Sequence, residues 1–265
     1  MLAKQRQAVI LEEVRRRGGV RVSDLTEQLQ VSDMTIRRDL DVLANRGLVE
    51  KVHGGATAVT DRSTYEPGFE AKSFCEQPEK EAIAERAAEL VRPGTAIGLT
   101  AGTTTWALAR RLADVPGITV VTNSVRVADV FYQNDRADQT VVLTGGLRTP
   151  SDALVGPVAV SSIRRLNYDL LFMGVHGIDV RAGFSTPNLM EAETNRAMAE
   201  AARRLVVVAD HTKWGVIGLA SIVAIDEADV LVTDELIGEQ ARGVLAEQVG
   251  ELLVATIGPS ASRAG

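Results

Sequence analysis

Five residues, AGTTT at 101–105, follow an apolar run that reads as a strand and open a run that reads as a helix. Backbone N–H groups at a helix N-terminus attract anions, and three hydroxyls add donors, so this spacing can cradle a phosphate. It fits a tight turn with threonine capping equally well. The Walker pattern GxxxxGK is absent, which argues against a nucleoside triphosphate. In ADHTK at 209–213, Lys213 also follows a strand-like run and can neutralise a phosphate. Similar loops, each readable as a plain turn, hold Asn123, Gly146 with Asp152 and Gly156, and 174–179 with Asp179. A different chemistry belongs to VSDMTIRRDL at 31–40, where Arg37 and Arg38 sit side by side, because a guanidinium matches two acceptors on a guanine edge. The three histidines form no HxH or HxxxH pair, Cys75 is the lone cysteine, and GxSxG is missing. No zinc site, no intrachain disulfide and no serine-hydrolase elbow is therefore expected, and no cofactor. His176 and His211 read as loop residues, and Glu191 and Glu193, two apart on a helix, cannot face each other.

The arginine pair needs a helix to hold it. Residues 4–17 carry Ile10, Leu11 and Val14 at helical spacing and stop at Gly18-Gly19. Val20 to Val22 reads as a short extended piece, and Ser23 as the cap of a second helix with Leu25 and Leu29 on its buried face. Ser32 caps a third helix, with Asp33 near its N-terminal dipole. At about 100° per residue, Ile36, Leu40 and Leu43 form one stripe. Met34, Arg38, Asp41 and Asn45 face the other way, with Thr35 and Arg37 on the flanks. Gly47 ends the helix, and 48–52 reads as a strand running into His53, Gly54 and Gly55, a wing whose Lys51 and His53 can meet phosphate. Three helices, a short turn and a wing make a winged helix-turn-helix, whose last helix touches DNA base edges. A solvated surface helix is the alternative, and the pattern favours the first reading.

The anion cradle needs a sheet. Residues 57–78 lack periodicity, carry Pro67 and Pro78, and read as a linker. From 79 on, helical patterns at 79–91, 102–112, 124–134, 189–203 and 235–249 alternate with strand patterns. The strands fall at 95–100, 118–122, 139–144, 170–174, 205–209, 230–233 and 252–255. Such alternation predicts a doubly wound, mostly parallel α/β domain that binds ligands at the carboxyl ends of its strands. Residues 259–265 read as a flexible tail. The net charge is −6, yet residues 1–56 carry +2 and the rest −8, the asymmetry of a small DNA-binding head on an acidic body. The N-terminus mixes charges into its apolar residues, and no apolar run approaches a membrane span, so a cytoplasmic chain without membrane contact is expected.

Residues 4–56, ending in VSDMTIRRDLDVLANRGLVEKVHGGA, resemble the winged helix-turn-helix of DeoR-family transcriptional regulators without a gap. Residues 79–255 resemble the family's sensor domain through IGLTAGTTT, VVTNS, LTGG, LVGP, FMGVHGID, GFST and VVVADHTKWG. That domain is similar in turn to ribose-5-phosphate isomerase. The resemblance implies double-stranded operator DNA, met by Ser32, Met34, Thr35, Arg37, Arg38, Lys51, His53 and Gly54. It implies a phosphorylated sugar or sugar-alcohol effector, its phosphate at Gly102, Thr103, Thr104 and Thr105 with Lys213. Thr100, Asn123, Gly146, Asp152, Gly156, Asp179 and Glu193 would surround the sugar. Repression of a sugar-utilisation operon by a homo-oligomer, dimer or tetramer, is the function implied. The alternative is a sugar-phosphate isomerase or deaminase with an appended head. His176-Gly177 stands where the isomerase has Asp-Glu, which removes the acidic pair proton transfer needs. Thr100 stands where many of the family's regulators carry Asp.

Overall fold

A computed structural model describes residues 2–58, 68–73, 75–134 and 136–258. The chain divides into two compact units: a head holding the described residues up to 58 together with 68–75, and a body from Glu76 onward. Of the stretch expected as a linker, Thr57 and Ala58 lie in a strand of the head, and a helix of the body begins at Gln77. Residues 59–67 and the expected tail 259–265 lie outside the described residues.

The head runs α1 (Ala3–Arg17), β1 (Gly19–Arg21), α2 (Val22–Leu29), α3 (Asp33–Asn45), β2 (Val49–Val52), β3 (Gly55–Ala58) and α4 (Phe69–Ser73). Ile10, Val14, Leu25, Ile36, Leu40 and Leu43 are buried together, so the apolar spacing of α1, α2 and α3 closes on one core. Ser32 caps α3, its Oγ accepting from the Thr35 N–H at 3.3 Å. Ser23 does not cap α2. The helix begins two residues earlier than that cap implies, at Val22, whose side chain is buried in the core, and the Ser23 hydroxyl turns to Asp24. The wing is a hairpin of β2 and β3 turning at His53-Gly54, with Gly54 at φ +77°. β1 adds a third strand in the order β1-β3-β2, and its pairing tolerates no side chain at Gly55, where a Cβ would lie 2.0 Å from the Val20 carbonyl.

The body opens with α5 (Gln77–Ala88), β4 (Ala96–Leu99), α6 (Thr103–Leu112), β5 (Thr119–Thr122), α7 (Val125–Asn134) and β6 (Thr140–Leu143). A hairpin of β7 (Leu147–Arg148) and β8 (Leu154–Val155), then α8 (Pro157–Ile163), leads to β9 (Tyr168–Gly174). Then follow β10 (Gly177–Asp179), β11 (Gly183–Thr186), α9 (Leu189–Glu200), β12 (Ala202–Val208), β13 (Ala220–Val223), β14 (Val230–Asp234), α10 (Glu239–Gln248) and β15 (Glu251–Ala255). Seven strands make one parallel sheet in the order β15-β14-β12-β9-β4-β5-β6. Alternate side chains fill opposite faces. Leu99, Phe172 and Val206 meet α5, α6 and α7, while Leu171, Met173 and Val207 meet α8, α9 and α10. The chain winds outward one way through β4, β5 and β6, then returns to β9 on the other side of β4. The strand order therefore reverses between β4 and β9, where a doubly wound sheet opens its ligand crevice. A small antiparallel sheet, β10-β11-β13, stands beside the large one. α9 ends three residues short of the expected 203, because β12 already pairs with β9 from Ala202. α10 starts at Glu239 instead of 235, because β14 runs on to Asp234 and a turn follows.

Candidate functional site

In the head, α3 presents a polar face whose charges are mostly spoken for. Met34 is 72% exposed, and Arg38, Asp41 and Asn45 share its side of the helix. Arg37 reaches back one turn to Asp33, with Nε on one carboxylate oxygen and Nη2 3.4 Å from the other. That hydrogen bond holds the Asp33 carboxyl below its ordinary value and raises the guanidinium. Lys51 on the wing is closely paired with Asp41 of α3. Arg38 makes no hydrogen bond or ion pair with a described residue. His53 and Gly54 form the exposed wing tip, and the Ser32 and Thr35 hydroxyls bond each other at 2.8 Å. Asp39 was not among the sequence candidates. It is buried, and both oxygens are held from α1, by Arg6 Nε at 2.5 Å and Gln7 Nε2 at 2.9 Å. Its signal was available: Asp39 falls about 60° from Ile36 on the apolar stripe, where a carboxylate must find a partner.

In the body, the candidate crevice is built where β4 and β9 part. The ladder ends at Leu99 opposite Phe172, and Thr100 extends it: its N–H donates to the Phe172 carbonyl at 3.1 Å and its Oγ1 accepts from the Gly174 N–H at 3.0 Å. Gly102 then lets α6 begin with no side-chain cap, so the N–H groups of Thr103, Thr104 and Thr105 have no intrahelical acceptor. Thr105 Oγ1 donates to the Gly102 carbonyl, whereas the Thr103 and Thr104 hydroxyls bond no described residue. Unpaired N–H groups and hydroxyls at a helix start are the chemistry that an anion needs. Asn123, fully buried, ties the rim together: Oδ1 accepts from the Ala101 N–H at 2.8 Å and Nδ2 donates to the Leu154 carbonyl at 3.2 Å.

Asp152, at φ +62°, is held by Arg126 Nε and Arg148 Nε, both at 2.8 Å. Burial works to raise its carboxyl, but the two guanidinium groups prevail and lower it. Gly156 caps α8 and gives its N–H to Thr194 Oγ1 at 3.3 Å. Gly146 is a packing position, where a Cβ would lie 2.6 Å from the Val155 carbonyl. Asp179 Oδ1 accepts from the Arg181 and Ala182 N–H groups and so shapes its own hairpin turn. Glu193 is exposed on α9. The carboxylate on the buried side is Glu191, 3.4 Å from Ser151 Oγ, and fully buried Asn195 keeps its Oδ1 unbonded. Helical phase could have found these, since Glu191 and Asn195 are one turn apart.

At the end of β12, Asp210 caps the short 3-10 turn His211–Lys213 and lies 3.8 Å from Lys213 Nζ. Burial works to raise the Asp210 carboxyl, yet Lys213 and the buried Lys80 of α5 lower it. His211 Nδ1 lies 2.9 Å from Asp234 Oδ1, and that hydrogen bond raises the imidazole. No group of three or more metal-ligating side chains occurs among the described residues, and no described helix is long and apolar enough to cross a membrane.

A winged helix-turn-helix followed by a doubly wound α/β body is the architecture of a one-component transcriptional regulator, one chain with a DNA-binding domain and a sensor domain. Residues 6–62 match the DeoR-like helix-turn-helix domain and residues 76–235 the DeoR C terminal sensor domain. The chain belongs to the DeoR family of transcriptional regulators. It is 38% identical to an uncharacterized HTH-type transcriptional regulator, YgbI, of Escherichia coli, over 96% of this chain and 99% of that one. It is 40% identical to the HTH-type transcriptional regulator GlpR of Haloferax volcanii, over 91% and 94%. A putative aga operon transcriptional repressor of Escherichia coli O157:H7 is 35% identical over 93% and 94%. These relatives are regulators, so the enzyme alternative is set aside. A D-ribose-5-phosphate isomerase structure aligns with a TM-score of 0.39 at 15% identity, over 52% of this chain and 54% of that one.

Proposed function

We propose that this chain is a repressor of a sugar-utilisation operon, released when a phosphorylated sugar or sugar alcohol binds the body. The head binds operator DNA and the body, from Glu76 to 258, senses. The observation that carries the reading is the uncapped start of α6, where three N–H groups and two unbonded hydroxyls converge at the strand-order reversal. Lys213 adds a positive charge that is only loosely held by Asp210 at 3.8 Å, so an anion can draw it away. The name of the aga relative supports repression. Thr35, Arg38 and Met34 meet base edges, while Lys51, His53 and Gly54 meet the backbone. Reading paired half-sites takes a homo-oligomer, a dimer or tetramer. The effector acts only through its differential affinity for the DNA-bound and released arrangements. The chain works in the cytoplasm, where DNA and phosphorylated sugars coexist.

Thermal unfolding with a panel of sugar phosphates, sugar-alcohol phosphates and their unphosphorylated parents tests this. At least one phosphorylated compound should stabilise the protein, its parent should not, and Lys213→Ala should remove the response while sparing DNA affinity. Equal stabilisation by the parents, or an unchanged titration for Lys213→Ala, would mean that the cradle is not the effector site.

A further inference from the structure

We infer that Asp39, which touches no DNA, is a positioning residue that sets the angle at which α3 presents Arg38 to the groove, through its tie to Arg6 and Gln7 of α1. The inference rests on α3 being the helix that reads DNA. Ile36, Leu40 and Leu43 seat α3 by apolar contact, and such contact is non-directional: it holds the helix down without fixing its rotation. Base readout is directional and needs the reading side chains held to within roughly 0.5 Å and 10–20°. Asp39 supplies the missing direction. The residue is 3% exposed, one carboxylate oxygen lies 2.5 Å from Arg6 Nε, and the other accepts from Gln7 Nε2 at 2.9 Å. Two donors one residue apart on α1 grip both oxygens of one plane, so α3 cannot roll without breaking a charge-assisted bond. Arg38 is the preceding residue, so the grip is one peptide unit from the residue whose guanidinium it directs. The same tie keeps an acidic residue of the reading helix neutralised and away from DNA phosphate. The other acids of α3 are paired too, Asp33 with Arg37 and Asp41 with Lys51, but those pairs are exposed and can exchange partners with phosphate. Asp39 alone is paired inward.

The test uses the full chain and two duplexes: one selected by the wild-type protein from a randomised library, and one of the same composition with its sequence scrambled. Asp39→Asn should bind the selected duplex about tenfold more weakly, the scale of one misread base pair. Its affinity for the scrambled duplex should stay within about twofold, so that discrimination, and not binding as such, is lost. Gln7→Met keeps the ion pair and should lower discrimination about threefold, less than Asp39→Asn because only one of the two ties is removed. It decides the matter if Asp39→Asn does not fold. Arg6→Met combined with Asp39→Asn should be no worse in discrimination than the poorer single variant, because both remove one tie. Weakening of both duplexes alike by a folded Asp39→Asn, or unchanged discrimination in both Asp39→Asn and Gln7→Met, would make Asp39 a core stabiliser only and overturn the inference. A wild-type protein that fails to select any duplex would overturn the reading of α3 beneath it, and that result appears before any variant is made.

Discussion

Replacing Thr100 with Val changes the shape of the crevice by almost nothing and removes one acceptor. Thr100 is fully buried, and its Oγ1 is the partner of the Gly174 N–H at 3.0 Å, past the point where the β4–β9 ladder stops. Valine keeps the branched volume but leaves that N–H without a partner. An ordinary hydrogen bond is worth about 1 kcal/mol net, and a stranded buried donor costs up to about 3 kcal/mol. Gly174 is only partly buried, so water can reach it in part, and the expected loss is about 1–2 kcal/mol. For a body of this size each kcal/mol moves the midpoint by about 2–4 °C, so the expected drop in Tm is about 2–8 °C. Thr100→Ser keeps the acceptor and should lose less than half as much. Differential scanning calorimetry of both variants, with the transition of the body followed, is the measurement. A Val variant within about 1 °C of wild type, or a Ser variant as damaged as the Val variant, would refute the idea that the hydroxyl clamps the crevice. Stabilisation by a bound sugar phosphate should also fall in Thr100→Val, because the clamp sets the spacing between the two lips.

Two further outcomes follow from the charged groups. Arg38→Ala should cost about 1–3 kcal/mol per half-site on a selected duplex, and Arg37→Ala should cost less, because Arg37 must first leave Asp33; equal losses in fluorescence anisotropy would remove the distinction between the two arginines. His211 has a pKa raised above its ordinary 6.5 by Asp234, so its stabilising charged form is complete below pH 6.5 and is lost as pH climbs through the raised value. Between about pH 6 and 9 the Tm of wild type should therefore fall towards that of His211→Gln, and a constant gap between them would show that the imidazole does not titrate there.

The seven strands of the large sheet were readable because each appears as a short β-branched or aliphatic run; the central ones are buried on both faces, as in Val206-Val207-Val208 and Val230-Leu231-Val232, while the edge strand β6 keeps the run although it is largely exposed. The antiparallel strands β10, β11 and β13, three or four residues each, have no such run. Their pairing rests on close backbone approach, as at Gly183, where a Cβ would lie 2.3 Å from the Val223 carbonyl, which no local pattern records. The apolar stripe of α3 was legible from helical phase, and so was the cap at Ser32. The polar lining of the body was legible only as a set of loops. Sequence placed Glu193 near the sugar, yet the helix turns Glu191 inward and leaves Glu193 exposed. Arg126 and Arg148 drew no attention because nothing local links residues 22 apart to the one carboxylate, Asp152, that gathers them.

The pairing of Asp33 with Arg37 and of Asp41 with Lys51 bears on how operator binding responds to salt. Neutralising phosphates on B-DNA releases condensed counterions, and log K falls with log salt by about 0.9 for each phosphate neutralised. A guanidinium or ammonium that leaves its own carboxylate to reach a phosphate exposes an anion, and that anion gathers a cation from solution. The net release is then smaller than the number of phosphate contacts. On the DNA contacts proposed above, Arg37 and Lys51 would add less to the salt slope than two free cations, and operator occupancy would be buffered against changes in the surrounding electrolyte.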